Sequence, residues 1–148
     1  MLKKTVLTLV RELKYIHEIN IFPNYIHHTN VRVVDGRIAF IRSTDKKYHF
    51  APCLKSNPSG SDNIFTFGVL ISHIVCGIDI FKNLDQNIFK NIDGYKLYRF
   101  VAHKVKQNCK DTENIQLYQH IIHGCLVNEK NRFKISELFW SVNAHLLT

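Results

Sequence analysis

The sequence predicts a mainly α chain of the α+β kind, with one domain over residues 1–148 built around a central buried helix and carrying a small β-hairpin. Three observations predict it. From Ile64 to Val75 the apolar residues surround a helix on every side, so protein must enclose that segment all round. Four other stretches carry apolar residues on one helical face only. Finally, two short β-prone runs flank Asp35-Gly36, a pair that accepts the positive φ angles of a type I′ turn.

In chain order, the first helix is expected over about Leu2 to Ile19, with Val6, Leu9, Val10, Leu13 and Ile16 inward. Pro23 and Asn24 stop further helix, and an irregular segment runs to Asn30. The hairpin pairs Val31–Val34 with Arg37–Ile41. Ser43 to Gly60, with Pro52, Pro58 and Gly60, reads as loop. Ser61 or Asp62 is expected to cap the central helix, and Gly77 to supply its left-handed stop. Phe81 to Gly94 reads as a connector with a short helical piece. Helices follow over about Tyr95–Gln107 (inward Leu97, Phe100, Val101, Val105), Glu113–Cys125 (Ile115, Tyr118, Ile121, Ile122, Cys125) and Ile135–Leu147 (Leu138, Phe139, Val142, Leu146).

A chain of 148 residues can bury a core without metal or disulfide staples. At about 15 residues the central apolar run is short of the roughly 20 needed to span a bilayer, and it carries Ser72 and His73. Near the start, Val6 to Leu13 alternates with Arg11, Glu12 and Lys14 and forms no signal-peptide block. Cys53, Cys76, Cys109 and Cys125 are far apart with no C-x-x-C pair, which favours reduced core thiols in a cytosolic or nuclear setting. The formal charge of +8 suits an acidic partner. Most basic residues are scattered, but Lys96, Arg99, Lys104, Lys106 and Lys110 are locally dense with no acid among them.

The landmarks Tyr15-Ile16-His17, a loop ending at Asn30, a hairpin, Ala51-Pro52 and Ser61-Asp62 through Phe67-Gly68 together resemble the C-terminal lobe of a protein kinase. The interval from His17 to Asn30 matches the kinase catalytic loop in length, and the resemblance covers essentially the whole chain, with no counterpart of the N-terminal lobe. Within that superfamily, Pro23 to Asn30 and the helix Lys96-Leu97-Tyr98-Arg99-Phe100-Val101-Ala102-His103-Lys104-Val105-Lys106-Gln107-Asn108 resemble the mixed lineage kinase domain-like pseudokinases. The likeness is to the poxvirus-type members that lack the killer helical domain.

The catalytic positions depart from the kinase pattern. Tyr25 stands where the catalytic base would be, and a phenol stays protonated near neutral pH. His27 replaces the phosphate-contacting lysine, and Arg42 puts a cation where a carboxylate should hold magnesium. Only Asn30, one of two metal-binding positions, survives. The chain is therefore expected to be no enzyme, with no cofactor and no metal. The resemblance implies structural roles for Asp62, whose counterpart accepts backbone N–H groups of the catalytic loop, and for Arg132, whose usual glutamate partner is replaced by Cys53. It also implies a role in the host cytoplasm: blocking necroptosis by occupying the receptor-interacting kinase upstream, through protein binding. Tyr98, Arg99, Lys104 and Lys106 are the candidate contacts.

Two other readings compete. The chain can be a half-kinase completed by an N-terminal lobe on another chain, which Tyr25 and Arg42 oppose, or a basic module for nucleic acid or anionic membrane, which the scattered charge opposes. His27-His28 and the pair His120 and His123 lack a third ligand at metal-binding spacing and read as surface or loop histidines. Cys53 reads as an ordinary thiol, with no adjacent base or helix start to activate it.

Overall fold

A computed structural model of the chain describes residues 2–23, 26, 31–34, 37–40, 59–78, 80 and 94–146. The architecture is mainly helical, in the order α1 (Leu2–Glu18), β1 (Val31–Val34), β2 (Arg37–Phe40), α2 (Gly60–Cys76), α3 (Gly94–Asn108), a 3₁₀ turn (Thr112–Asn114), α4 (Ile115–Leu126) and α5 (Ile135–Leu146). β1 and β2 pair antiparallel, Val31 opposite Phe40 and Val34 opposite Arg37, and β2 runs alongside α1. The expected Asp35-Gly36 turn, the rest of the 41–58 loop and the 81–93 connector lie outside the described residues.

α2 is the axis. Every residue from Asp62 to Ser72 is buried, as are Val75 and Cys76, so the all-round apolar pattern has become all-round enclosure. α4 covers it most extensively, and α1 and α3 add further walls; α5 lies on α1 and α4. Burying residues such as Ile64, Phe67, Leu70 and Ile71 contributes roughly 1.5–3 kcal/mol each. No helix among the described residues is long and apolar enough to cross a membrane.

The start of α2 corrects the expected cap. Ser59, not Ser61 or Asp62, is the N-cap: its Oγ accepts from Asp62 N at 3.2 Å, and the Asp62 carboxylate accepts from Ser59 N at 2.8 Å. This reciprocal pairing satisfies two donors of the first turn, and it draws Gly60 into the helix rather than leaving it in the preceding loop. At the other end Gly77 adopts φ 72° and donates its N–H to His73 O, as its position after the last apolar turn predicts. α1 ends on Asn20 at φ 60°, with Ile21 N bonding back to Ile16 O.

The other helices obey their 3.6-residue patterns. Val6, Leu9, Val10 and Leu13 of α1, Leu97, Val101 and Val105 of α3, Tyr118, Ile121, Ile122 and Cys125 of α4, and Leu138 and Val142 of α5 are all buried. Ile16, Phe100, Ile115 and Phe139 are partly buried against the same core. The helix expected from Glu113 starts instead as the 3₁₀ turn, braced by Asn114 Nδ2 on the Asp111 carboxylate. Tyr118 OH donates to the same carboxylate at 2.7 Å.

Two helix contacts depend on absent side chains. A Cβ at Gly68 would lie 2.5 Å from Cys125 Cβ, so α2 and α4 meet there almost backbone to backbone. A Cβ at Gly124 would lie 2.1–2.6 Å from three ring carbons of Phe133, whose N–H donates to Gly124 O. Glycine at position 124 lets the α4–α5 turn fold down onto α4.

Candidate functional site

α3 carries the candidate binding residues. Its buried stripe of Leu97, Val101 and Val105 fixes the opposite face toward solvent. Arg99 and Lys106 share the outer crest, separated by about two turns, or about 10 Å along the axis. Exposed Tyr95, Lys96 and His103 lie around them, and the Arg99 guanidinium sits 5.8 Å from the Tyr95 ring. Tyr98 and Lys104 flank the buried stripe on opposite sides. Tyr98 is 44 % exposed, with its ring edge-on to His123 at 5.3 Å. Lys104 is half-buried, its ammonium 5.9 Å from the Phe100 ring. The four candidates thus form a crest pair and two flanks rather than one cluster.

The first turn of α3 holds no acid of its own, and Asp93 directly precedes it in the sequence.

Tyr25, His27 and Asn30, together with Arg42, Ala51, Pro52 and Cys53, lie outside the described residues. Asp62 and Arg132, the two structural candidates, both act at the start of α2. Arg132 has not been left without partners, as the loss of its expected glutamate implied. Its Nε donates to Val127 O at 3.0 Å and one Nη to Ser61 O and Ser61 Oγ at 3.1 and 3.2 Å, with the guanidinium 5.1 Å from the Phe65 ring. Neutral oxygens and an aromatic face replace the carboxylate, and the side chain ties the α4–α5 turn to α2.

A second tie was not read from the sequence. Asn63, 1 % exposed, donates Nδ2 to Pro23 O at 2.8 Å, and its Oδ1 lies 3.0 Å from His17 Nε2. The amide is thereby oriented, and His17 must present Nε2–H to it and keep Nδ1 as an acceptor. Burial holds the imidazole below the usual histidine pKa, opposed by the bond to Asn63. Phe22 stands edge-on to the same ring at 5.0 Å.

These ties frame a cleft of about 460 Å³ between the end of α1, the start of α2 and the α4–α5 turn, with His17, Phe22, Ile64, Lys130, Arg132 and Phe133 among its walls. No group of three or more metal-ligating side chains occurs among the described residues. His120 and His123 turn to different neighbours, Phe133 and Tyr98. Cys76, Cys109 and Cys125 are buried free thiols. Burial pushes Cys76 up to about 11 and raises Cys109 and Cys125, so all three are protonated at neutral pH.

No family model, curated protein or solved structure matches the chain.

Proposed function

We propose that the chain is a catalytically inactive pseudokinase fragment with a kinase-like C-lobe fold, related to the mixed lineage kinase domain-like proteins, that acts by binding another protein. The observation that carries the reading is the outer face of α3, Lys96, Arg99, His103 and Lys106 with Tyr95, flanked by Tyr98 and Lys104, with no acidic residue along the helix. Aromatic and arginine side chains on a rigid, preformed helix are the residue types that dominate protein interfaces, and their binding needs no catalytic apparatus. The sequence resemblance supplies the partner: the receptor-interacting kinase of the necroptosis pathway, met in the host cytoplasm through an acidic surface. Two further features fit a kinase-like lobe, namely the enclosed α2 with Asp62 in its first turn and the anchoring of Arg132 against that turn.

The test is capture of the receptor-interacting kinase by the purified chain, wild type against Arg99→Glu/Lys106→Glu. Loss of capture with unchanged melting temperature supports the proposal. Equal capture of unrelated kinases, or full capture by the charge-reversed variant, refutes it. Addition of ATP and magnesium is expected to leave the melting temperature unchanged, since a bound nucleotide would raise it.

A further inference from the structure

The cleft at the start of α2 is separate from the α3 surface, and its chemistry is asymmetric. One side is apolar and aromatic, formed by Phe22, Ile64, Phe133 and Ile135. The other side is cationic, with Lys130, Arg132 and Lys134 against a single acid, Glu129. Neither Lys130 nor Lys134 is in an ion pair among the described residues. Arg132 spends Nε and one Nη on Val127 and Ser61, which leaves two N–H groups on its second Nη with no partner among the described residues. Its half-buried guanidinium is held in place by those bonds, so it is positioned before any ligand arrives.

Lys134 makes the case sharper. It occupies the N-cap of α5: its carbonyl takes the N–H of Leu138, and its own N–H donates to the Glu137 carboxylate at 3.1 Å. A lysine at this position can accept no bond from the helix, and its charge meets the positive end of the helix dipole, which Glu137 in the first turn only partly offsets. Stability alone would place serine, threonine, aspartate or asparagine here. A cation at an N-cap beside a cleft that already holds two others is a local sacrifice of the kind found at binding sites.

We infer that this cleft binds a small organic anion, a phosphate or carboxylate group carried on an aromatic or aliphatic body. The anionic group is met by the free Nη2 of Arg132 and the ammonium groups of Lys130 and Lys134, as charge-assisted bonds. The apolar body lies between Phe22 and Phe133, over Ile64. The volume falls within the range of small-molecule sites, and the mixture of apolar wall and few convergent polar groups is their usual composition. His17 closes the inner end, where Nδ1 stays an acceptor because Nε2 is committed to Asn63.

Phenyl phosphate, benzoate, inorganic phosphate and neutral benzyl alcohol serve as probes, read by melting temperature and by isothermal calorimetry on the full chain. Phenyl phosphate is expected to bind saturably and benzyl alcohol not at all. Inorganic phosphate is expected to bind at least ~10-fold more weakly than phenyl phosphate, since it leaves the apolar wall bare. Lys130→Glu/Lys134→Glu, both exposed, is the variant of choice because Arg132→Gln removes bonds that hold the turn. It should melt at or slightly above wild type, since the Lys134 charge no longer opposes the dipole of α5, and lose binding of phenyl phosphate. No saturable binding of either aromatic anion, equal binding of benzyl alcohol or of inorganic phosphate, or undiminished binding by the double variant would each overturn the assignment.

Discussion

Gly68→Ala tests the packing on which the whole fold depends. The added methyl would stand 2.5 Å from Cys125 Cβ, about 1.3 Å closer than carbon atoms pack at their optimum. The opposing atom is itself bonded to a helix backbone, so no rotamer change relieves the clash. α2 and α4 must separate, and Leu126, whose Cγ and Cδ2 lie 3.2–3.3 Å from the same point, must move with them. Overpacking of this sort costs up to about 3 kcal/mol, offset by about 1 kcal/mol that alanine gains over glycine inside a helix. The net loss of about 2 kcal/mol lowers the melting temperature by about 4–8 °C for a chain of this size. Gly60→Ala is the control. Its methyl meets Phe22 at 3.6 Å and His17 at 3.8 Å, ordinary contacts, and the variant should melt within about 1 °C of wild type or slightly above it. Differential scanning calorimetry on the three proteins gives the answer. If Gly68→Ala melts with or above wild type, the close approach of α2 and α4 is wrong.

Tyr118→Phe removes the donor to the Asp111 carboxylate from a side chain with no exposed surface, and should lower stability by about 1 kcal/mol in urea unfolding. Asp111 is held below the usual carboxylate range, first by Tyr118. Its contribution is therefore present above the unfolded pKa and lost as pH falls through the folded one, and the wild-type advantage over Tyr118→Phe should shrink in acid. His17 runs the same way, at higher pH. Burial lowers its folded pKa, so the unfolded chain takes the proton first as pH drops below about 6.5. The stability it contributes is complete above that value, declines as pH falls toward the folded pKa and is gone below it, and His17→Gln should flatten that portion of the melting-temperature profile. In a Cys53→Ser background, the remaining thiols should resist a disulfide reagent at pH 8 in the native protein and react fully in guanidinium, because burial keeps Cys76, Cys109 and Cys125 protonated and out of reach.

The helices were legible because their apolar spacing is unambiguous. Val6 to Leu13, Leu97 to Val105 and Tyr118 to Cys125 each occupy one face at 3.6-residue spacing, and the all-round pattern of Ile64 to Val75 leaves no option but enclosure. Cap identity was less legible. Ser59, Ser61 and Asp62 are all good caps, and Ser59 wins because its spacing to Asp62 allows the two side chains to bond reciprocally. The Ser-x-x-Asp pattern at 59–62 was the available signal. The cleft was the hardest to see, because its walls come from positions 17–22, 60–64 and 129–135, brought together only by tertiary contacts such as Asn63 to Pro23 and Arg132 to Ser61. Its one local mark was a lysine at the start of a helix. The basic character of α3 was readable, whereas its division into a crest pair and two flanks follows from which side of the helix the core claims.

A rod without a wet side has consequences for the chain as it is being made. α2 leaves the ribosome some fifty residues before α4, the helix that covers it most, is complete, so the nascent chain carries an apolar segment that α1 alone can partly shelter. That interval is when aggregation competes with folding. Synthesis in cells depleted of the chaperones that hold emerging polypeptides should therefore yield insoluble product, and a chain truncated after Asn108 should be insoluble even with them present.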